Sequence, residues 1–294
     1  MTFREALNSG RILVGDGAMG TELEKRKRSA EPCPEMLSLV EPEVVRSIHR
    51  DYFSAGADLV ETNTFGANRA RLGLYGQEDR VGELIRISVE LAREVCPAGK
   101  FVVGSVGPTG VLPMPFGELA PEQGVEIFSE SVAALSEAGV DCIFIETMMS
   151  LEEAAMAVEA AGKVTDLPVL LSLTFEVKNE RIATGFGVQP CDLIQAAIDC
   201  NLDGIGANCG HGFDDMSQVV GELTGKLPIL VQANAGLPVL QGTTIVYPDQ
   251  PETIRKDLEK ILDSGVAILG GCCGTNPDYI RLFRALADEK NQGL

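Results

Sequence analysis

Val266-Ala267-Ile268-Leu269-Gly270-Gly271-Cys272-Cys273-Gly274-Thr275-Asn276-Pro277 reads as a strand, a turn and the start of a helix. The run Val266–Leu269 is short and uninterrupted, as in a strand buried on both faces. Asn276 before Pro277 is a helix N-cap followed by proline at the first helical position. Two adjacent thiols therefore stand where a strand gives way to a helix. Neighbouring cysteines seldom bridge to each other, because the peptide link between them strains disulfide geometry. They can share one soft metal ion if a third ligand arrives from elsewhere. Glycines on both sides permit the tight turn that aims both sulfurs at one point. Burial as two small apolar residues is the plainer alternative. The pair's place in a glycine-rich turn, outside the strand, favours the metal.

The same unit recurs along the chain. Ile12–Gly17, Ala57–Thr64, Phe101–Gly107, Asp141–Thr147, Pro168–Thr174, Asp203–Cys209, Pro228–Ala233 and Val266–Gly271 are apolar runs that close in small or polar residues. Between them lie stretches with apolar residues at helical spacing. Pro42–Ala55 carries Val44, Val45, Ile48 and Tyr52 on one face. Arg80–Val95, Pro121–Ala138, Leu151–Val164, Pro190–Cys200, Asp214–Leu223, Pro251–Leu262 and Pro277–Ala287 follow. Ser150 with Glu153 fits a capping box, and Pro190, Pro251 and Pro277 fit first helical turns. This alternation is the count of a (β/α)8 TIM barrel, expected as a single domain over residues 1–294. Joins from helix to strand are short: Gly56, Gly139, Asn201-Leu202, Gly225-Lys226-Leu227 and Gly265. Connections after strands are long: Thr21–Glu41, Phe65–Asp79, Pro108–Ala120, Phe175–Gln189 and Gly236–Gln250. Long ordered loops carry function, and barrels keep their active sites at the face where strands end.

With 294 residues and 45% hydrophobic content the chain can bury a large core. A formal net charge of −19 argues against a nucleic-acid or anionic-membrane partner. No stretch approaches the roughly 20 apolar residues of a membrane span. The start, Met1-Thr2-Phe3-Arg4-Glu5, lacks the apolar core of a signal peptide. Eight cysteines without a small-domain framework suit a reducing, cytoplasmic setting. Cys33, Cys96, Cys142, Cys191 and Cys200 have no ligand-like spacing and are read as structural.

The strand ends supply the chemistry. In a closed barrel Cys209, at the end of the sixth strand, joins Cys272 and Cys273 at one rim. Three protein thiolates with a fourth position left open is the pattern of a catalytic zinc site. Asn234 ends the seventh strand, between the two cysteine strands. It can offer a weak oxygen ligand when substrate is absent, and structural hydrogen bonding is an equally good reading. His211 is the nearest candidate for a strong fourth ligand, but a loop histidine touching solvent or backbone is the simpler account. His49 is read as a packing or surface residue. Gly15-Asp16-Gly17 lacks the partner spacing of a dinucleotide fingerprint. Asp16, Glu61 and Glu146 end the first, second and fourth strands. Each is by default a cap or rim residue, yet at a barrel mouth an acid also suits a substrate ammonium group. Asn63, Thr64, Thr147 and Asn208 add neutral hydrogen-bonding groups at the same rim.

These residues resemble the homocysteine S-methyltransferase family. That family includes the homocysteine-binding barrel of cobalamin-dependent methionine synthase, betaine–homocysteine methyltransferases and S-methylmethionine-dependent enzymes. The likeness runs from Ile12 to the last helix. It is carried by Asp16-Gly17-Ala18-Met19-Gly20-Thr21, Thr62-Asn63-Thr64-Phe65-Gly66-Ala67, Gly107-Pro108-Thr109-Gly110, Asn208-Cys209 and Gly270–Thr275. The first two motifs look closest to the methionine synthase branch, whereas Gly210-His211-Gly212-Phe213 departs from it. The resemblance implies zinc on Cys209, Cys272 and Cys273, and contacts from Asp16 and Glu146 to the amino acid.

On that reading a substrate thiol takes the open position and loses its proton, because the metal favours the thiolate. It then attacks an electrophilic methyl group in line, with Asp16 and Glu146 fixing the substrate amine. Over the residues to Leu294 no second barrel for a folate and no cobalamin module is expected. The methyl group is therefore expected on a separate partner, a methylcobalamin-carrying protein docking over the strand-end loops. A small sulfonium or ammonium donor is the other option. An aromatic cage for a quaternary ammonium would have Phe65, Phe116, Phe175 and Phe213 to draw on, and no tryptophan. Two further readings stay open: a different thiol as acceptor, and a non-enzymatic zinc- or redox-sensing barrel. The rim acids favour the enzyme, since a sensor has no need to hold an ammonium group.

Overall fold

Each apolar run becomes a strand of one parallel sheet in the computed structural model, which describes residues 1–225, 227–242 and 244–292. Lys226, in the join that leads into the seventh barrel strand, lies outside the described residues. β1 (Leu13–Val14), β2 (Leu59–Glu61), β3 (Phe101–Val106), β4 (Cys142–Met148) and β5 (Val169–Leu173) come first. A hairpin follows, β6 (Glu176–Lys178) with β7 (Arg181–Ala183), then β8 (Gly204–Cys209) and β9 (Ile229–Ala233). A second hairpin, β10 (Val239–Gln241) with β11 (Thr244–Val246), precedes β12 (Ile268–Gly271). The barrel runs β1-β12-β9-β8-β5-β4-β3-β2, with every neighbour parallel. At the β1/β2 seam the Asp58 N–H donates to the Val14 carbonyl at 2.7 Å. The Asp58 carboxylate accepts the Val14 N–H at 2.9 Å and is held by Lys100 at 2.5 Å and Arg284 at 2.8 Å.

The helices are α1 (Phe3–Leu7), α2 (Met19–Arg26), α3 (Leu37–Val40), α4 (Pro42–Ala55), α5 (Arg69–Gly73) and α6 (Val81–Val95). They continue as α7 (Pro121–Ala138), α8 (Leu151–Val164), α9 (Pro190–Asp199), α10 (Phe213–Glu222), α11 (Arg255–Asp263) and α12 (Pro277–Asn291). Because both faces of the sheet are covered, the apolar residues divide into two layers. Val14, Val60, Val102, Ile143, Leu171, Ile205, Val231 and Leu269 pack outward against helices. Leu13, Leu59, Phe101, Phe144, Leu170, Leu230 and Ile268 fill the barrel interior together with Phe3, Ala6 and Leu7 of α1. Phe3 meets Phe101 edge to face at 5.4 Å. α1 thus plugs the end where strands begin, and the opposite end is left for chemistry. α1 is too short to show a periodicity; its one sequence cue is the Thr2/Glu5 capping box.

Two expected caps are corrected. Pro251 lies outside α11, because Gln250 and Thr253 form their own turn, with Thr253 N–H donating to the Gln250 carbonyl at 2.9 Å. Ser150 does cap α8, but Glu153 does not return the bond. Its carboxylate instead accepts the Thr109 N–H at 2.7 Å and the Thr109 hydroxyl at 2.6 Å, stapling the loop after β3 to α8. His49 is fully buried in α4, and neither ring nitrogen has a partner. Burial disfavours its cation and lowers its pKa to about 4. Below pH ~6.5 the unfolded chain takes up a proton that the folded chain refuses until about pH 4. We expect the stability of the parent relative to a His49→Leu variant to fall by roughly 3 kcal/mol between pH 7 and 4. Urea melts of both chains measure it, and a difference independent of pH would refute it.

Candidate active site

β12 ends at Gly271, and backbone bonds to the end of β9 fix the turn that follows. The Cys272 N–H donates to the Ala233 carbonyl at 2.8 Å, and the Ala235 N–H to the Cys273 carbonyl at 2.9 Å. Gly274 has φ +83°, and a Cβ there would stand 2.2 Å from Cγ of Tyr247, so only glycine fits. Across the rim Cys209 ends β8 at φ +60°, a left-handed conformation costly for a side-chain-bearing residue. Its carbonyl accepts the Asn234 N–H at 3.1 Å. The Cys209 and Cys272 sulfurs lie 3.1 Å apart and those of Cys272 and Cys273 4.0 Å apart. All three fall within 4.8 Å of one another. Sulfurs bound tetrahedrally at about 2.3 Å would stand roughly 3.8 Å apart, so the cluster fits one thiophilic ion. Without a cation the three thiols cannot all ionise. Hydrogen bonds from Cys209 and Cys272 bring Cys273 down to about 3. Cys272 is pushed far up by Cys209, Cys273 and burial. Cys209, though lowered by its contact with Cys272, is raised overall by Cys273 and burial.

The acids approach the same space from the other side. Asp16 follows β1 and accepts the Glu61 N–H at 3.0 Å. Glu61 ends β2 and accepts from the Gln232 amide at 2.5 Å. Glu146 sits where the register of β4 on β5 shifts, with the next residue, Thr147, at φ +62°. Its carboxylate accepts from the Ser105 hydroxyl and, at 3.3 Å, from the Asn208 amide. Burial raises all three carboxyls above their ordinary range, and the Glu146 charge adds to the rise at Asp16 and Glu61.

A cavity of ≈ 260 Å³ joins the two groups, lined by the three cysteines, Asp16, Glu61, Glu146, Asn63 and Thr147. Asn63 donates its amide to the Pro34 carbonyl at 2.8 Å and to Ser38 at 3.0 Å. Asn208, expected at the rim, is fully buried there beneath Glu146 and Thr147. Its oxygen accepts from the Thr147 N–H and from Ser172, and its nitrogen donates to Thr147 Oγ1 at 2.6 Å. It braces the two strained turns at Thr147 and Cys209 against each other. The Asn234 amide nitrogen donates to the Gly210 carbonyl at 2.8 Å, while its oxygen is buried without a partner. His211 pairs with Asp215 at 3.2 Å and stands outside the thiol cluster. Of the four phenylalanines expected near this face, Phe65 lines the cavity and Phe116 is exposed. Phe175 is buried, and Phe213 is core, packed on Phe283 at 5.7 Å. The sequence reading did not single out Arg71, Tyr75, Ser105 or Gln232, which also line the cavity. They come from a long loop or from strand interiors, where no spacing marks them.

Fold and site together define a (β/α)8 barrel that gathers thiols and carboxyls round one cavity at its strand ends. The family model for homocysteine S-methyltransferase matches residues 13–287, and the chain belongs to that family. The methionine synthase of Mycobacterium leprae (strain TN) is 34% identical over 96% of this chain and 25% of that protein. The methionine synthase of Mycobacterium tuberculosis (strain ATCC 25618 / H37Rv) is 34% identical over 93% of this chain and 24% of that protein. The chain thus spans about a quarter of the length of these relatives. The homocysteine methyltransferase MmuM from Escherichia coli, in its metallated form, superposes with a TM-score of 0.80 at 25% identity, over 96% of this chain and 99% of that one.

Proposed function

We propose that this chain methylates the thiol of homocysteine to give methionine, with Zn2+ held by Cys209, Cys272 and Cys273. The observation that carries the reading is one cavity with the three thiols on one wall and the carboxyls of Asp16, Glu61 and Glu146 on the other. Bound zinc would supply the Lewis acidity that keeps a substrate thiol ionised at neutral pH. The buried, unpartnered Asn234 oxygen supports a role as the weak fourth ligand that substrate displaces. Asp16, Glu61 and Glu146 hold the ammonium group, whose positive charge offsets their mutual repulsion. Asn63 and Thr147 border the substrate, and Asn208 keeps Glu146 in register with Cys209. The enclosed walls limit water and orient the sulfur toward the mouth, where the methyl group enters. The reading places this chemistry in a reducing, cytoplasmic setting, in keeping with eight free cysteines. No described helix is long and apolar enough to cross a membrane.

The methyl donor we assign is a methylcobalamin-carrying protein docking over the strand-end loops. Phe65 and Tyr75 are the aromatic residues that line the cavity among the described residues, and two rings make at most a partial quaternary ammonium cage. Homocysteine supplied with methylcobalamin should turn over, and faster than with S-methylmethionine, S-adenosylmethionine or betaine. Fast turnover with a small donor and none with methylcobalamin would overturn the corrinoid assignment and leave the thiol chemistry standing.

A further inference from the structure

Arg71 is the one cation lining the cavity among the described residues, beside the acids Asp16, Glu35, Glu61 and Glu146. It sits in α5, on the connection that follows β2. Its guanidinium carbon lies 5.4 Å above the Phe65 ring. Its Nε would stand 3.1 Å from a Cβ at Gly66, and Glu35 flanks the same glycine. Yet the Glu35 carboxylate is engaged by the Gly66 N–H at 2.8 Å and the Cys33 thiol at 3.3 Å. Arg71 forms no salt bridge among the described residues. A guanidinium stacked on an aromatic ring, lining the cavity and without a salt bridge among the described residues, suits a carboxylate taken in bidentate fashion. The α2 first turn points the same way. Ala18, Met19 and Gly20 line the cavity, and this helix start has no side-chain cap.

We infer that Arg71 is the specificity residue that receives the α-carboxylate of the thiol amino acid. The inference rests on the homocysteine reading above. The acids take the ammonium group, the thiol goes to the cysteine cluster, and Arg71 completes three-point recognition of a zwitterion. The class of substrate is then an α-amino acid thiol, and an amine thiol without a carboxylate is disfavoured.

The test compares homocysteine with 3-aminopropane-1-thiol, which keeps the thiol and the amine but lacks the carboxylate. Zinc-loaded parent, Arg71→Met and Arg71→Lys chains are titrated with each thiol by calorimetry, and KM and kcat are measured for each. Expected in Arg71→Met is a loss of at least tenfold in homocysteine affinity and a matching rise in KM, with kcat within about threefold. Binding of the amine thiol should be spared, and Arg71→Lys should fall between, since a point charge replaces the fork. Equal losses for both thiols would make Arg71 a packing residue and overturn the inference. No loss for either would remove it from the site. A parent chain that binds neither thiol would overturn the homocysteine reading itself, and this inference with it.

Discussion

A chain with Cys209, Cys272 and Cys273 all replaced by serine should retain no zinc, whereas the parent should load about one ion per chain under reducing conditions. Three soft donors that converge within 4.8 Å are the requirement for such a site. Serine hydroxyls cannot replace them, because they are hard and stay protonated near neutral pH. X-ray absorption on the loaded parent should show sulfur neighbours at about 2.3 Å. Methyl transfer to homocysteine should fall at least about a thousandfold in the variant, since the substrate sulfur is then neither ionised nor placed. The fold should survive, because backbone bonds build the turn round Cys272 and Cys273 and all three cysteines sit half-buried at the rim. Full zinc occupancy in the triple variant, or a zinc spectrum without sulfur, would refute the assignment.

The barrel was legible because its strands are buried on both faces. Such strands must be apolar throughout, and every one of the expected runs pairs in order round the sheet. The thiol cluster was legible for a related reason. Strand-end residues converge in any closed barrel, so Cys209 and Cys272-Cys273 meet although 63 positions separate Cys209 from Cys272. What the sequence hid depends on side-chain direction. Asn208 precedes a strained cysteine, and its side chain faces into the protein as a brace between turns. Phe213 looked like a loop residue but begins α10 and points into the core. Arg71 lies on a connection whose short helix has no periodic partner. The hairpins β6–β7 and β10–β11 are exposed or half-buried along their described side chains, so no burial pattern announces them.

Replacing Glu146 by glutamine should raise KM for homocysteine about ten- to a hundredfold and leave zinc content intact. The contact at issue is charge-assisted, worth about 1.5–3 kcal/mol. Glutamine keeps an oxygen for the Ser105 hydroxyl, but its amide then faces the Asn208 nitrogen, which already donates to this position at 3.3 Å. The variant therefore loses both the charge and part of the alignment. Asp16, Glu61 and Glu146 are all shifted upward, first by burial. Their ionised forms are the ones that bind an ammonium group. Homocysteine affinity should accordingly weaken as pH falls through their raised range, sooner than ordinary carboxylates would require. In Glu146→Gln one titrating group is gone, and Asp16 and Glu61 no longer feel its charge, which helps raise both. The acid limb of KM against pH should flatten and move to lower pH. An unchanged KM, with zinc still bound, would remove Glu146 from contact with the substrate.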